Sequence, residues 1–317
     1  MRSIHYDRGA FRMSMSPSSW IAVAAALIGA IWTSPLAAQR TSLDSVRMND
    51  TTVVHALTLI DGSRIIGRIT SVTADSVRIA SAVASVTVAR RTVRQVSQYP
   101  AKALRNGELW ADNPHATRLI FGPTAIPLRK GEGYFSDFWI FLISSAVGVT
   151  DRFTIGGGMS LIPGIDINEN IFFILPKLTV VSRPTFTLAV GGLAAHVGIG
   201  SSDDLSVNDN RSLGVLYGVA TTGSRESNLS LGVGWGYVGG ALSERPVVTL
   251  GGQHRVSRRI ALISENWFLP FDDSNGSVVS YGLRFIGEKI AVDLAFATLL
   301  KEAFFPGVPL LGFTIKY

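Results

Sequence analysis

Between Ala116 and Tyr317 the chain keeps one pattern: strand-length stretches in which a large apolar residue alternates with a small one, with no persistent helical period. Leu229, Leu231, Val233, Trp235 and Tyr237 interleave with Ser230, Gly232, Gly234 and Gly236. Phe153, Ile155, Gly157, Met159 and Leu161 interleave with Thr154, Gly156, Gly158 and Ser160. Ile290, Val292, Leu294 and Phe296 interleave with Ala291, Asp293, Ala295 and Ala297. Successive strand side chains point to opposite faces, so each stretch has one large apolar face and one small or polar face. A soluble sheet buries the first and charges the second. Here the second face is mostly Gly, Ala, Ser and Thr, which suits the crowded interior of a barrel whose outside meets lipid. The expected fold class is all-β, a transmembrane antiparallel β-barrel.

Twelve strands are expected, near 117–122, 136–149, 152–161, 171–182, 185–199, 212–222, 228–238, 246–256, 259–268, 277–286, 289–298 and 309–317. The connections near 150–151, 182–183, 223–227, 257–258 and 287–288 are short; those near 162–170, 200–211, 239–245, 269–276 and 299–308 are longer. Short turns belong on the periplasmic side of such barrels and long loops outside, so the last strand should end in the periplasm. Bacterial barrels have an even strand number, and stretch 117–122 makes the count even.

The last strand reads Leu310-Leu311-Gly312-Phe313-Thr314-Ile315-Lys316-Tyr317, with Leu311, Phe313, Ile315 and Tyr317 on one face. An apolar terminal strand invites edge pairing unless closure removes the edge. In Gly312, Phe313, Ile315 and Tyr317 the sequence resembles the C-terminal signal of Gram-negative outer-membrane β-barrel proteins: a glycine five residues before a terminal aromatic, with an apolar residue two before it. Leu310 departs from that pattern, which usually has a polar residue there. The resemblance implies contact with the barrel-assembly machinery and residence among outer-membrane lipid and lipopolysaccharide.

The other end supports export. Trp20 to Trp32 is apolar, Arg2, Arg8 and Arg12 precede it, and Ser34-Pro35-Leu36-Ala37-Ala38 follows. The run is shorter than the about 20 residues of a spanning helix, so residues 1–38 read as a signal peptide cleaved after Ala38. Removing them takes three Arg and one Asp and lowers the net charge from +6 to about +4. That mild excess suits anionic lipid and gives no argument for nucleic acid. With no cysteine, disulfide scaffolds, lipoprotein anchors and thiolate metal sites are excluded.

Residues 39–99 read as a small periplasmic β-domain. Val54 to Leu59 alternates, Asp61-Gly62 signals a tight turn, and short strands follow at 76–80, 85–89 and 92–96. The string Leu59-x-Asp61-Gly62-x-x-x-x-Gly67-x-Ile69 resembles the start of an Sm-like or SH3-like small barrel. Arg90, Arg91 and Arg94 form a basic patch, read first as a solvated edge that discourages strand pairing and second as a contact for cell-wall or lipid phosphate. Residues 100–115, with Pro100, Asn106-Gly107 and Asn113-Pro114, read as a linker before a barrel at 116–317.

Among residues that could carry chemistry, Gly234-x-Gly236-x-x-Gly239 matches a dinucleotide fingerprint only as a string, because its glycines alternate along a strand and no helix follows. The informative residues are the charges on the inward faces, Lys177, Arg255, Glu265, Arg284 and Asp293. They read either as an ion-pair network filling the lumen or as a constriction selecting solutes by charge. His196, with Ser201, Ser202 and Asp203 beyond it, is the candidate for lipid hydrolysis; His254 lies at the wrong end for surface lipid. No metal or cofactor site is expected, and the five histidines are scattered singly. No plug domain is apparent. The leading functional expectation is a narrow pore or passive channel for small solutes. The alternatives are a closed structural barrel that tethers the envelope through its periplasmic domain, and a non-enzyme reading is preferred over the hydrolase.

Overall fold

The structure is a computed structural model, and it describes residues 43, 46, 48, 50–81, 83–164, 166–197, 212–239, 241–270, 276–301 and 303–317. The expected signal peptide and the whole of loop 200–211 lie outside these residues. The chain divides into two compact units, one made chiefly of residues 34–113 and one of Pro114 onward.

The first unit is an antiparallel sheet of β1 (Val53–Leu59), β2 (Arg64–Val72), β3 (Ser76–Ala80), β4 (Ser85–Ala89) and β5 (Val93–Pro100), in the order β4-β3-β2-β1-β5. Leu57, Ile69, Val77, Ile79 and Val96 form its core. Gly62 takes φ +85°, as the turn after β1 requires. Residues expected as a linker are partly folded: after a short 3-10 turn at Ala101–Ala103, β6 (Leu104–Arg105) pairs with β7 (Glu108–Leu109). Val54, Ala103 and Leu109 cluster beneath them, and that apolar anchor is what a reading from turn residues missed. Arg90 and Arg91 sit on the turn between β4 and β5 beside Asp75, so the patch includes a carboxylate.

The second unit is a closed barrel. Its strands are β8 (Gly133–Phe138), β9 (Leu142–Gly148), β10 (Phe153–Ser160), β11 (Ile171–Arg183), β12 (Phe186–Val197), β13 (Ser212–Gly223) and β14 (Ser227–Val238). After the two-residue β15 (Ala241–Leu242) come β16 (Val247–Arg255), β17 (Ile260–Phe268), β18 (Val278–Ile286), β19 (Ile290–Leu299) and β20 (Val308–Lys316). Leaving out β15, which only pairs with β14, twelve strands run antiparallel to their neighbours. The circle closes where β20 meets β8, from Gly312 opposite Phe138 to Lys316 opposite Tyr134. Closure leaves the wall no free edge.

The alternation sorts as expected. Leu229, Leu231, Trp235, Leu262, Phe285, Leu294, Leu311, Phe313 and Ile315 are exposed on the outside. Ser230, Gln253, Ser280, Asp293 and Thr314, from the intervening face, are buried inside. An apolar exterior of this extent, far beyond the few hundred Å² usual on a soluble monomer, is the surface of a protein solvated by lipid.

Two expectations are corrected, and the corrections cancel in the count. Stretch 117–122 is not a wall strand. Stretch 136–149 is two strands, β8 and β9, joined by a turn at Trp139 (φ 56°) and Ile140 (φ 68°). Two successive residues with left-handed φ in a hairpin connection are usually signalled by Asn or Gly, and neither stands here. Here Asp137 accepts the Ile140 N–H and Pro309 O accepts the Trp139 indole N–H, so tertiary contacts hold a turn that the local sequence does not signal.

Residues 114–131 lie inside the barrel. Their first half is a hairpin, with Arg118 bridged to Pro123 and Leu119 N–H donating to Gly122 O. Its tip places the Phe121 ring 4.0 Å from Phe138, near the end of β8 away from its entry. The chain then returns to the end at which it entered, where Arg129 O lies against Gly148. The lumen is thus occupied by a segment of the chain itself.

Candidate functional site: the occupied lumen

A strand-like hairpin inside a barrel has no neighbouring strand on either side, so its amides and carbonyls need other partners. The inward charges of the wall supply them. Arg284 is fully buried (0% exposed). Its Nε and Nη2 grip the Asp293 carboxylate at 2.6 and 2.8 Å, its Nη1 donates to His115 O (2.6 Å) and Gln253 Oε1 (2.8 Å), and its Nη2 also donates to Leu119 O (2.9 Å). All five guanidinium N–H groups are thereby used, in the forked geometry that only arginine offers.

Lys177 works in the same way with a point charge. Its ammonium donates to Thr124 O (2.9 Å), Ile126 O (2.8 Å) and Thr117 O (3.3 Å), so three protons meet carbonyls from both limbs of the lumenal segment. Next to it on the same face, Thr179 donates to Ala125 O, while Thr221 Oγ1 accepts the Ala125 N–H. Glu265 has the opposite sign and meets the opposite groups. Its two carboxylate oxygens accept the N–H groups of Phe121 (2.9 Å) and Gly122 (2.8 Å) at the hairpin tip, and Trp267 Nε1 donates to one of them. Cations therefore hold carbonyls and the carboxylate holds amides, and a buried charge satisfied in this way avoids the penalty of an unpaired one.

Four of the five predicted lumen charges, Lys177, Glu265, Arg284 and Asp293, thus come together around one segment. Arg255 does not join them; it pairs with Glu226 in the turn before β14, near the C-terminal end of the wall. Gln253, Thr179, Thr221 and Trp267 belong to the same grip and were not singled out from sequence. Gln253 and Thr179 are each two residues from a predicted charge, so the strand period alone pointed to them. At the mouth where 114–131 exits, Glu132 meets Arg225 (3.3 Å) and Lys316 (3.1 Å) and fastens the start of β8 to the last strand.

The wall itself makes room for the hairpin. Gly251 has no side chain where Leu119 packs, and a Cβ there would fall 2.6 Å from the Leu119 methyl. Gly234 and Gly236 alternate along β14, and Gly239 follows in the turn after it, so the fingerprint string belongs to the barrel wall. His196 lies near the far end of β12 opposite Phe172 and Ser212, on the outward face, and His254 is exposed on the outside of β16. Ser201, Ser202 and Asp203 lie outside the described residues. Among the described residues no group of three or more His, Asp or Glu is placed to hold a metal ion.

The class these features define is the outer-membrane type of β-barrel, here with its lumen occupied by the segment that precedes its first strand. Solved structures with which it shares a distant similarity include two porins and one protein described as outer-membrane expressed. The NanC porin matches with a TM-score of 0.36 and 9% identity over 58% of this chain and 97% of that one. The KdgM porin in complex with oligogalacturonate matches at 0.38 and 7% over 58% and 95%. OmpT of Vibrio cholerae matches at 0.32 and 10% over 84% and 95%. No protein-family model and no curated protein sequence matches the chain.

Proposed function

We propose that this chain is an outer-membrane barrel whose lumen is held shut by residues 114–131, and that it serves the envelope as a closed barrel carrying a small periplasmic β-domain. One observation carries the reading: Arg284, Lys177 and Glu265 are buried in the wall and spend their hydrogen bonds on the backbone of the lumenal segment. A constriction that selects solutes needs charges free to face passing ions. These are committed to the chain itself. The apolar outer face supports the membrane location, and the terminal strand with Gly312, Phe313, Ile315 and Tyr317 supports delivery by the barrel-assembly machinery. Lipid and lipopolysaccharide are then its surroundings, and the domain of residues 39–99 is the candidate for cell-wall contact.

A passive pore is the second reading, and it is favoured by the polar inner wall that would remain if the hairpin left. Planar-bilayer conductance separates the two. The folded protein is expected to be silent, and a variant with 117–126 replaced by a short Gly-Ser linker is expected to conduct. Steady conductance by the unaltered protein would overturn the closed reading. Heat-modifiable gel mobility checks that each sample is a closed barrel.

A further inference from the structure

The hairpin does not fill the lumen completely. Between its Phe121 side and the wall of β11 to β17 lies a cavity of about 280 Å³, bordered by Leu175, Leu193, Val215, Tyr217 and Trp267. This is close to the lower end of the range for small-molecule sites, about 300–1,000 Å³. The charged groups at its edge already have partners: Lys177 donates to three carbonyls, and Arg118 to His115 Nε2 and Ser136 Oγ. Most of what faces the space is apolar, so it fits an occupant that is chiefly hydrocarbon.

The wall beside the cavity is thin. Along β11 and β12 the paired register runs from Ile174 opposite Ala194 directly to Lys177 opposite Gly191, with no pairing at Leu175 or Pro176. Proline has no N–H to donate, and it interrupts ladders wherever it stands in a sheet. Across from it lie Gly191 and Gly192, which put no side chain on either face. On the lipid side of the same point is a groove bordered by Pro176, Val190, Leu216 and Trp235. Lys177 and Tyr217 border both the groove and the inner cavity, and the Tyr217 ring covers Gly191, where a Cβ would fall 2.5 Å from its hydroxyl.

We infer that the β11–β12 seam at Pro176 and Gly191-Gly192 is a lateral portal, screened by Tyr217, through which the end of a membrane acyl chain enters the lumenal cavity. The inference rests on the membrane location proposed above. An acyl chain is the occupant because the groove opens on the apolar exterior and the cavity lining beyond it is chiefly apolar. The lipid around the barrel provides such chains at its own wall.

Two single-tryptophan variants test it, one keeping only Trp267 at the cavity and one keeping only Trp235 in the outer groove, each folded into vesicles of phospholipid brominated along its chains. Bromine quenches indole at short range. Trp235 is expected to be quenched by the surrounding lipid, and Trp267 by the chain that enters. Val215→Phe, which fills the cavity, is expected to reduce Trp267 quenching at least twofold and to leave Trp235 quenching unchanged; Thr249→Phe replaces it if it does not fold. Quenched Trp235 with unquenched Trp267 would overturn the portal and leave the membrane reading standing. Trp267 quenching that survives cavity filling would overturn the portal too. Trp235 left unquenched would overturn both.

Discussion

Arg284 shows how much one side chain can hold. Removing one partner of a buried ion pair leaves an uncompensated charge, at about 3–5 kcal/mol. Arg284→Met abandons Asp293 together with the carbonyls of His115 and Leu119. We expect it to lower stability in urea by that amount, and Arg284→Met with Asp293→Leu to lose less, as read from equilibrium unfolding in detergent. In the other unit, His55 is buried with both ring nitrogens lacking a partner, and burial pushes its pKa below the usual 6.5 against the raising effect of Asp50. A depressed histidine is neutral in both states above pH 6.5, and the unfolded chain takes up the proton first as pH falls. Local stability of β1 should therefore drop as pH falls below that value. Hydrogen exchange corrected for intrinsic rates should show it, and His55→Leu should abolish the dependence. The charges of the grip were visible in the sequence because a charge on the small face of an apolar strand stands out. Their partners were not visible, because a backbone carbonyl looks the same at every residue.

At the scale of elements, the outer strands were legible and the hairpin was not. Large-small alternation identifies a strand with one face in lipid, and β14 and β19 carry it most clearly. Thr117 to Gly122 is a strand-length stretch with Leu119, Ile120 and Phe121 in a row, and nothing local tells a strand in a wall from a strand within one. The division of 136–149 was hidden because Trp139 and Ile140 adopt a conformation that β-branched and bulky residues rarely take. A left-handed backbone costs a non-glycine residue roughly 1–2 kcal/mol. Ile140→Gly is therefore expected to keep the barrel and raise its stability by up to about 1 kcal/mol after glycine's own entropy is counted. A loss of stability would show that the Ile140 side chain does more than complete a turn. Gly251→Leu should act in the opposite direction: its side chain claims the place of Leu119 and displaces the hairpin, detectable as protease cleavage within 114–131 of the folded barrel.

For the whole molecule, the even count was reached through two compensating errors, and it is the closure from β20 to β8 that fixes twelve. The class of the fold follows from patterning because lipid imposes a single rule on every outward residue. What the barrel does is set by the contents of its lumen, and those depend on contacts between residues far apart in the chain, such as Phe121 with Glu265. Small ions and a charged dye released from vesicles give an independent check: the unaltered protein should retain both, and the variant lacking 117–126 should release both.

The lumenal segment enters and leaves by the same mouth, from His115 beside Tyr134 to Arg129 beside Gly148. It is therefore a bolt and not a thread. It is held by side chains and not by a strand ladder, so no pairing between wall strands depends on it. A seating preference of about 2.7 kcal/mol keeps such a bolt home ninety-nine times in a hundred.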